Sequence, residues 1–218
     1  MLSKIINYLA AREKNINSSS STNNTSFYPV SESCQIPNLE TFYLNYFGEK
    51  SNGYFVEVGA YDGDTVSNTS CLADIGWDGL YIEPIKEFYE LCKNRHEKNN
   101  VKVLNIGISD KKETLSLEVG GLLSTARKDV KNNFERMGWK KYFENSHKQY
   151  VDAYPLDIVL EQNNTPKYFQ LLVVDVEGYE YKVLKGFKIN YWRPNMIILE
   201  LHDQNRNYIP FREENFAI

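Results

Sequence analysis

Three carboxylates crowd one glycine-bearing turn: Glu57, Asp62 and Asp64 fall within Tyr54-Phe-Val-Glu-Val-Gly-Ala-Tyr-Asp-Gly-Asp-Thr65. Gly59 and Gly63 have no Cβ, so the backbone there can take positive φ and approach a ligand closely. The charges decide which ligand fits. Phosphates of a dinucleotide or nucleoside triphosphate would be repelled by three nearby negative charges. The turn also lacks the Lys and Ser/Thr of a P-loop and the spacing G-x-G-x-x-G. S-adenosylmethionine brings a sulfonium, an ammonium and ribose hydroxyls, which carboxylates favour. The turn therefore reads as a methyl-donor site.

Further acids stand at the ends of other apolar runs. In an open α/β sheet, ligands sit beyond the carboxyl ends of the strands. The first such end offers Glu57, Gly59, Ala60, Asp62 and Gly63. Glu83 closes a second run, at the spacing where an acid can hold a ribose diol. Asp110 follows a third, placed to meet an adenine amino group, although it also reads as a plain turn residue. Asp175 and Glu177 emerge together from Leu171-Leu-Val-Val174, which is hard to explain by packing. The last run ends in Glu200-Leu-His202, and for His202 structural and catalytic roles compete. Glu57 inside its apolar strand could simply bond backbone amides, yet burying an unpartnered carboxylate is costly. In-line methyl transfer needs positioning and a base within hydrogen-bond reach. Asp175 is the first candidate, Glu177 and His202 the next. A divalent metal held by Asp175 and its neighbours is the alternative way of acidifying the hydroxyl, although no spacing indicates metal ligands.

The elements that must carry these residues alternate short apolar runs with helical patterns, which argues α/β architecture with a mostly parallel sheet and helices on both faces. Strands are expected at Tyr54–Val58, Gly79–Glu83, Val101–Ile108, Gln170–Val176 and Met196–Leu201. Helices are expected at Leu39–Phe47, Phe88–Lys98 and Tyr179–Lys185. Residues 109–167 form an insertion with a hairpin starting at Thr114–Val119, a charged helix near Lys128–Met137 and a short helix over Asp157–Glu161. Its stretch Gly138–Tyr150, rich in aromatic and basic residues, reads equally as a lid over an acceptor or as a surface cap.

Residues 1–14 place Leu2, Ile5, Ile6 and Leu9 on one helical face, and 15–36 read as a Ser/Asn-rich linker, leaving 37–218 as the main domain. With 218 residues and a net charge of −4, the chain can hold one such domain and has no basic footprint for nucleic acid. No stretch is long enough to insert stably in a membrane. Three scattered cysteines argue against disulfides or zinc and for a cytoplasmic location. Oligomeric state is not readable.

The chain resembles the FkbM-type S-adenosylmethionine-dependent methyltransferases. The resemblance rests on Phe55-Val-Glu-Val-Gly-Ala-Tyr-Asp-Gly63, Ser67-Asn-Thr69, Ile75-Gly-Trp-Asp-Gly-Leu-Tyr-Ile-Glu-Pro84, Leu156-Asp157 and Val174-Asp-Val-Glu-Gly-Tyr-Glu180, running on to Val183-Leu-Lys-Gly186. It implies a Rossmann-like fold and O-methylation of a sugar, glycan or small natural-product hydroxyl. It also implies donor binding by Glu57, Gly59, Asp62 and Glu83. The family's Asp-x-Glu-Gly element falls on Asp175, Glu177 and Gly178. Sheets of this class end in an antiparallel pair, which residues 203–218 do not clearly supply. An inactive, shortened member serving as a binding scaffold is the rival expectation.

Overall fold

The computed structural model describes residues 27–201. Residues 1–14, most of the linker, His202 and the C-terminal residues expected to lack the antiparallel pair lie outside that range.

Five apolar runs form one sheet: β1 (Tyr54–Val58), β2 (Asp78–Ile82), β3 (Val101–Leu104), β7 (Leu171–Val174) and β8 (Met196–Leu199). Their order is 3-2-1-7-8, and every pairing among them is parallel. Parallel strands are covered on both faces, which explains why β7 is four buried aliphatic residues with no polar alternation. One face carries Phe55, Tyr81 and Val173 against Tyr43 of α1 (Leu39–Phe47), Cys71 and Leu72 of α2 (Ser70–Asp74), and Cys92 of α3 (Lys86–Arg95). The other carries Val56, Leu80 and Val174 against Leu156 and Val159 of α5 (Leu156–Gln162) and Val183 of α6 (Glu180–Lys185). α4 (Lys128–Phe134) belongs to the insertion. The strand order reverses between β1 and β7, and this is where the rule for open sheets places a ligand.

Three expectations need correction. The run expected as one strand over 101–108 breaks at Asn105, whose side-chain amide donates to the carbonyls of Glu83 and Pro84 at 3.0 and 2.9 Å. Beyond the break, β4 (Gly107–Ile108) joins a second sheet of order 4-6-5. There β5 (Glu113–Val119) pairs antiparallel along its length with the distant β6 (His147–Tyr154), and the chain that directly follows it returns only at the Glu118–Thr125 bridge. Finally, the core begins before residue 37. Tyr28 is fully buried, its hydroxyl donating to the Gly48 carbonyl at 2.7 Å, and Ile36 is buried with it. The apolar side chains of 27–36 explain this, since Ser and Asn give way there to Phe27, Tyr28 and Ile36.

The second sheet roofs the carboxyl ends of the first. Leu115, Leu117 and Val119 of β5 pack on Ile85, just before α3, and on Phe88 in its first turn. Between β5 and β6, α4 runs on through residues 135–137 to a kink at Gly138, which takes φ 90°. The kink sends Trp139 towards the cleft, 5.6 Å from the Phe134 ring centre.

Candidate active site

Between the sheet and its roof lies a cavity of about 340 Å³. Its floor is built at four strand ends: Glu57 near the end of β1 with Gly59 and Ala60 after it, Glu83 after β2, Asp175 and Glu177 after β7, and Glu200 after β8. Leu115, Leu117, Leu122, Leu123 and Trp139 form the apolar roof.

The β1 exit is drawn against its neighbours by backbone alone. The N–H groups of Gly59 and Ala60 both donate to the Ile82 carbonyl, at 2.9 and 3.2 Å. Gly59 takes φ 91°, and a Cβ built on it would lie 1.8 Å from the Asp175 carbonyl oxygen. Only a glycine lets these two exits touch.

Glu57 is buried and accepts a hydrogen bond from the Thr69 hydroxyl. Thr69 has a single hydroxyl proton, so Tyr81, 3.0 Å away, must donate to it in turn. Burial pushes the Glu57 carboxyl up to about 8 against the pull of Thr69, with Asp175 adding to the rise. Glu83 is equally buried and lies within the same cleft. Its two oxygens accept backbone N–H groups from Ile85 at 2.8 Å and Tyr61 at 2.9 Å. Burial outweighs both donors and raises this carboxyl to about 8. Each oxygen retains a lone pair for a further donor.

The loop after β7 carries two more acids. The buried Glu180 carboxylate holds it from inside, accepting the N–H groups of Val176 at 3.2 Å and Gly178 at 3.1 Å. Thr125 Oγ1 donates to the Glu177 carbonyl at 2.8 Å, tying the loop to the insertion. Glu180→Ala should therefore cost about 2–3 kcal/mol, because two loop donors lose their partner. Urea unfolding reads the loss. Glu180→Gln, which keeps an acceptor oxygen, should lose distinctly less, and equal losses would show that the hydrogen bonds do not matter.

Asp175, Glu177 and Glu200 bring one carboxylate oxygen each within 4.8 Å of one another, a gathering that a cation could occupy although no sequence spacing foreshadowed it. Burial, and then the neighbouring Asp175, hold the Glu200 carboxyl well above the usual carboxylate range.

Other residues expected at the site stand apart from it. Asp62 caps its own turn, accepting the N–H groups of Asp64 and Thr65 at 2.9 and 2.7 Å. Asp64 pairs with Arg95 at 2.7 Å. Gly63 lies under α3, where a Cβ would fall 2.8 Å from Cys92 Sγ. The Asp110 carboxylate takes Lys182 and Lys185, each at 3.1 Å. None of these four lines the cavity. Of the three carboxylates in the opening turn, only Glu57 faces the cleft, so its negative character comes instead from acids brought in by other strands.

Sequence reasoning placed Glu200 at the end of the last apolar run but gave it no role, and gave none to Thr69 or Glu180. Trp139 fell in the stretch read as a lid or a surface cap, and its direction, set by the kink at Gly138, was not readable. The basic residues beside it, Lys140, Lys141, His147 and Lys148, are exposed. No described residue lining the cleft is Lys, Arg or His.

The family model described as methyltransferase FkbM domain matches residues 57–215. No curated protein and no solved structure matches the chain.

Proposed function

Because the chain belongs to the FkbM methyltransferase domain family, we propose that it moves a methyl group from S-adenosylmethionine to an acceptor hydroxyl. One observation carries this reading: Glu57, Glu83 and Asp175 leave three adjacent strands and line a single cleft. S-adenosylmethionine supplies an electrophilic methyl on a positively charged sulfur.

The residues suit that group. Glu83, pre-oriented by two N–H groups, offers its remaining lone pairs to the vicinal ribose hydroxyls. Glu57 gives a negative charge beside the Gly59-Ala60 backbone for the ammonium. Ile106 and Ile108 provide apolar surface for the base, the part sequence reasoning had given to Asp110. Asp175 stands at the middle of the floor and takes the hydroxyl proton as the oxygen attacks, with Glu177 beside it. His202 keeps its expected part as an alternative base. The roof excludes water through its leucines and Trp139. With no basic side chain among the described lining residues, the acceptor is a neutral sugar, glycan or small natural product rather than an anionic one. Among the described residues no helix is long and apolar enough to cross a membrane. The cytoplasmic location is our reading from the three scattered cysteines. Residues 37–218 remain our reading of the methyltransferase unit, extended at its start by 27–36, with 1–14 as a docking helix.

Isothermal titration calorimetry with S-adenosylmethionine and S-adenosylhomocysteine tests the reading. Binding of both is expected, and no heat from either at high micromolar ligand would leave the chain a scaffold. Glu83→Gln should weaken both by about 1.5–3 kcal/mol, the scale of a hydrogen bond to a charged group. Unchanged affinity would remove Glu83 from the site.

Proton release gives a second check. Unfolded glutamates titrate near about 4.3, whereas burial holds Glu57 and Glu83 at about 8. Between those values the folded chain binds more protons than the unfolded one. Stability from these two groups is thus greatest at low pH and is lost as pH rises through about 8. A cationic ligand with hydroxyl donors favours the ionised forms. Binding at pH 7 should accordingly expel protons, and affinity should rise towards pH 9. Titrations in buffers of different ionisation enthalpy count the protons; a count of zero contradicts the assignment.

A further inference from the structure

Gln35 precedes every strand and lies outside the matched residues 57–215, yet its side chain lines the cleft. Its Nε2–H donates to Glu200 Oε1 at 3.1 Å, and its Oε1 accepts from Asn68 Nδ2 at 3.4 Å. Asn68 Oδ1 accepts in turn from the Cys34 thiol at 3.6 Å, while the Asn68 carbonyl takes the buried Tyr43 hydroxyl at 2.6 Å. Donors thus run in one direction from Cys34 to Glu200. Turning either amide over would set donor against donor and acceptor against acceptor, so both orientations are determined by their surroundings. The segment itself is anchored on both sides of Gln35, by buried Tyr28 and buried Ile36.

Glu200 is where this anchoring acts. It leaves β8 into the cleft, with a carboxylate oxygen within 4.8 Å of one from Asp175. A glutamate side chain has three rotatable bonds, and β8 alone cannot choose among its orientations. An amide fixed on Oε1 makes that choice. We propose that Gln35 is a positioning residue of this site, which orients the Glu200 carboxyl beside Asp175 and ties the exit of β8 to the loop after β1. The assignment rests on the methyl-transfer reading for its consequence in turnover, but not for the hydrogen bond itself.

The test uses the full chain with Gln35→Ala and Gln35→Glu; the second keeps the shape and removes the donor. Methyl transfer from S-adenosylmethionine to a panel of neutral monosaccharides is read as S-adenosylhomocysteine formed. Both variants should lose about tenfold in kcat, the upper end of what one hydrogen bond is worth, with KM for the donor within about twofold. A kcat within twofold of the unaltered chain overturns the proposal, and so does a loss that merely follows donor affinity or the folded fraction. The hydrogen bond is also read without turnover, in ¹⁵N spectra of side-chain amides. The Gln35 pair should move in Glu200→Ala, and a pair that stays put overturns the proposal. Should the unaltered chain methylate no panel member, the acceptor reading fails and the spectra alone decide on Gln35.

Discussion

Asp175→Asn is expected to lower methyl transfer by about 10²–10³-fold, within the range that a positioned general base contributes. S-adenosylhomocysteine affinity should stay within about threefold, because the side chain keeps its shape and one acceptor oxygen. The expectation follows from position. Asp175 leaves the central pair of strands at the point where the strand order reverses, its N–H anchored on the Val58 carbonyl at 3.0 Å. Its carboxylate has Glu177 and Glu200 as neighbours, so a proton received there enters a group of acids that can share it. Single-turnover assays with bound donor separate this step from binding. Full activity would end the candidacy of Asp175. Loss of affinity with unchanged turnover would make it a donor contact instead.

Gly59→Ala should destabilise the chain by at least about 3 kcal/mol, adding the left-handed backbone penalty to a steric conflict. With φ at 91° and the Asp175 carbonyl 1.8 Å from the new methyl, either the exits of β1 and β7 must separate or the turn must change shape. Both outcomes break the cleft. Gly121→Ala is the control: φ is 63° there too, but nothing lies within 4 Å of the added carbon. That change should cost only about 1–2 kcal/mol. Urea unfolding compares the two, and equal losses would mean that the contact with Asp175 is unimportant.

Much of the fold could be read in advance because its signals are local. Tyr54–Val58 and Leu39–Phe47 are found where periodicity and flanking glycines put them. Glu57, Gly59, Ala60, Glu83, Asp175 and Glu177 do meet in one cleft, since parallel order brings strand exits together whatever their separation in sequence. Direction was harder to read. Asp62 and Asp110 sit at turns as expected, but what their carboxylates face depends on neighbours such as Thr65 and Lys182, far from the strand pattern. The hairpin partner was missed for a related reason. β6 reads as Lys, Gln and Tyr with weak alternation, and only Val151 and Ala153 pack inward. Gln35 gave no signal at all, because an amide outside the repeating pattern acquires a role only through long-range contacts.

The pairing of β1 with β7 has a consequence for biosynthesis. The cleft-lining acids of the first half, Glu57 and Glu83, leave the ribosome long before the strand that brings Asp175 to the floor. Until Leu171–Val174 inserts beside Tyr54–Val58, those carboxyls have no enclosed space to share. A nascent chain halted before that strand should thus be blind to nucleoside, and recognition should switch on within the few residues of synthesis that deliver it.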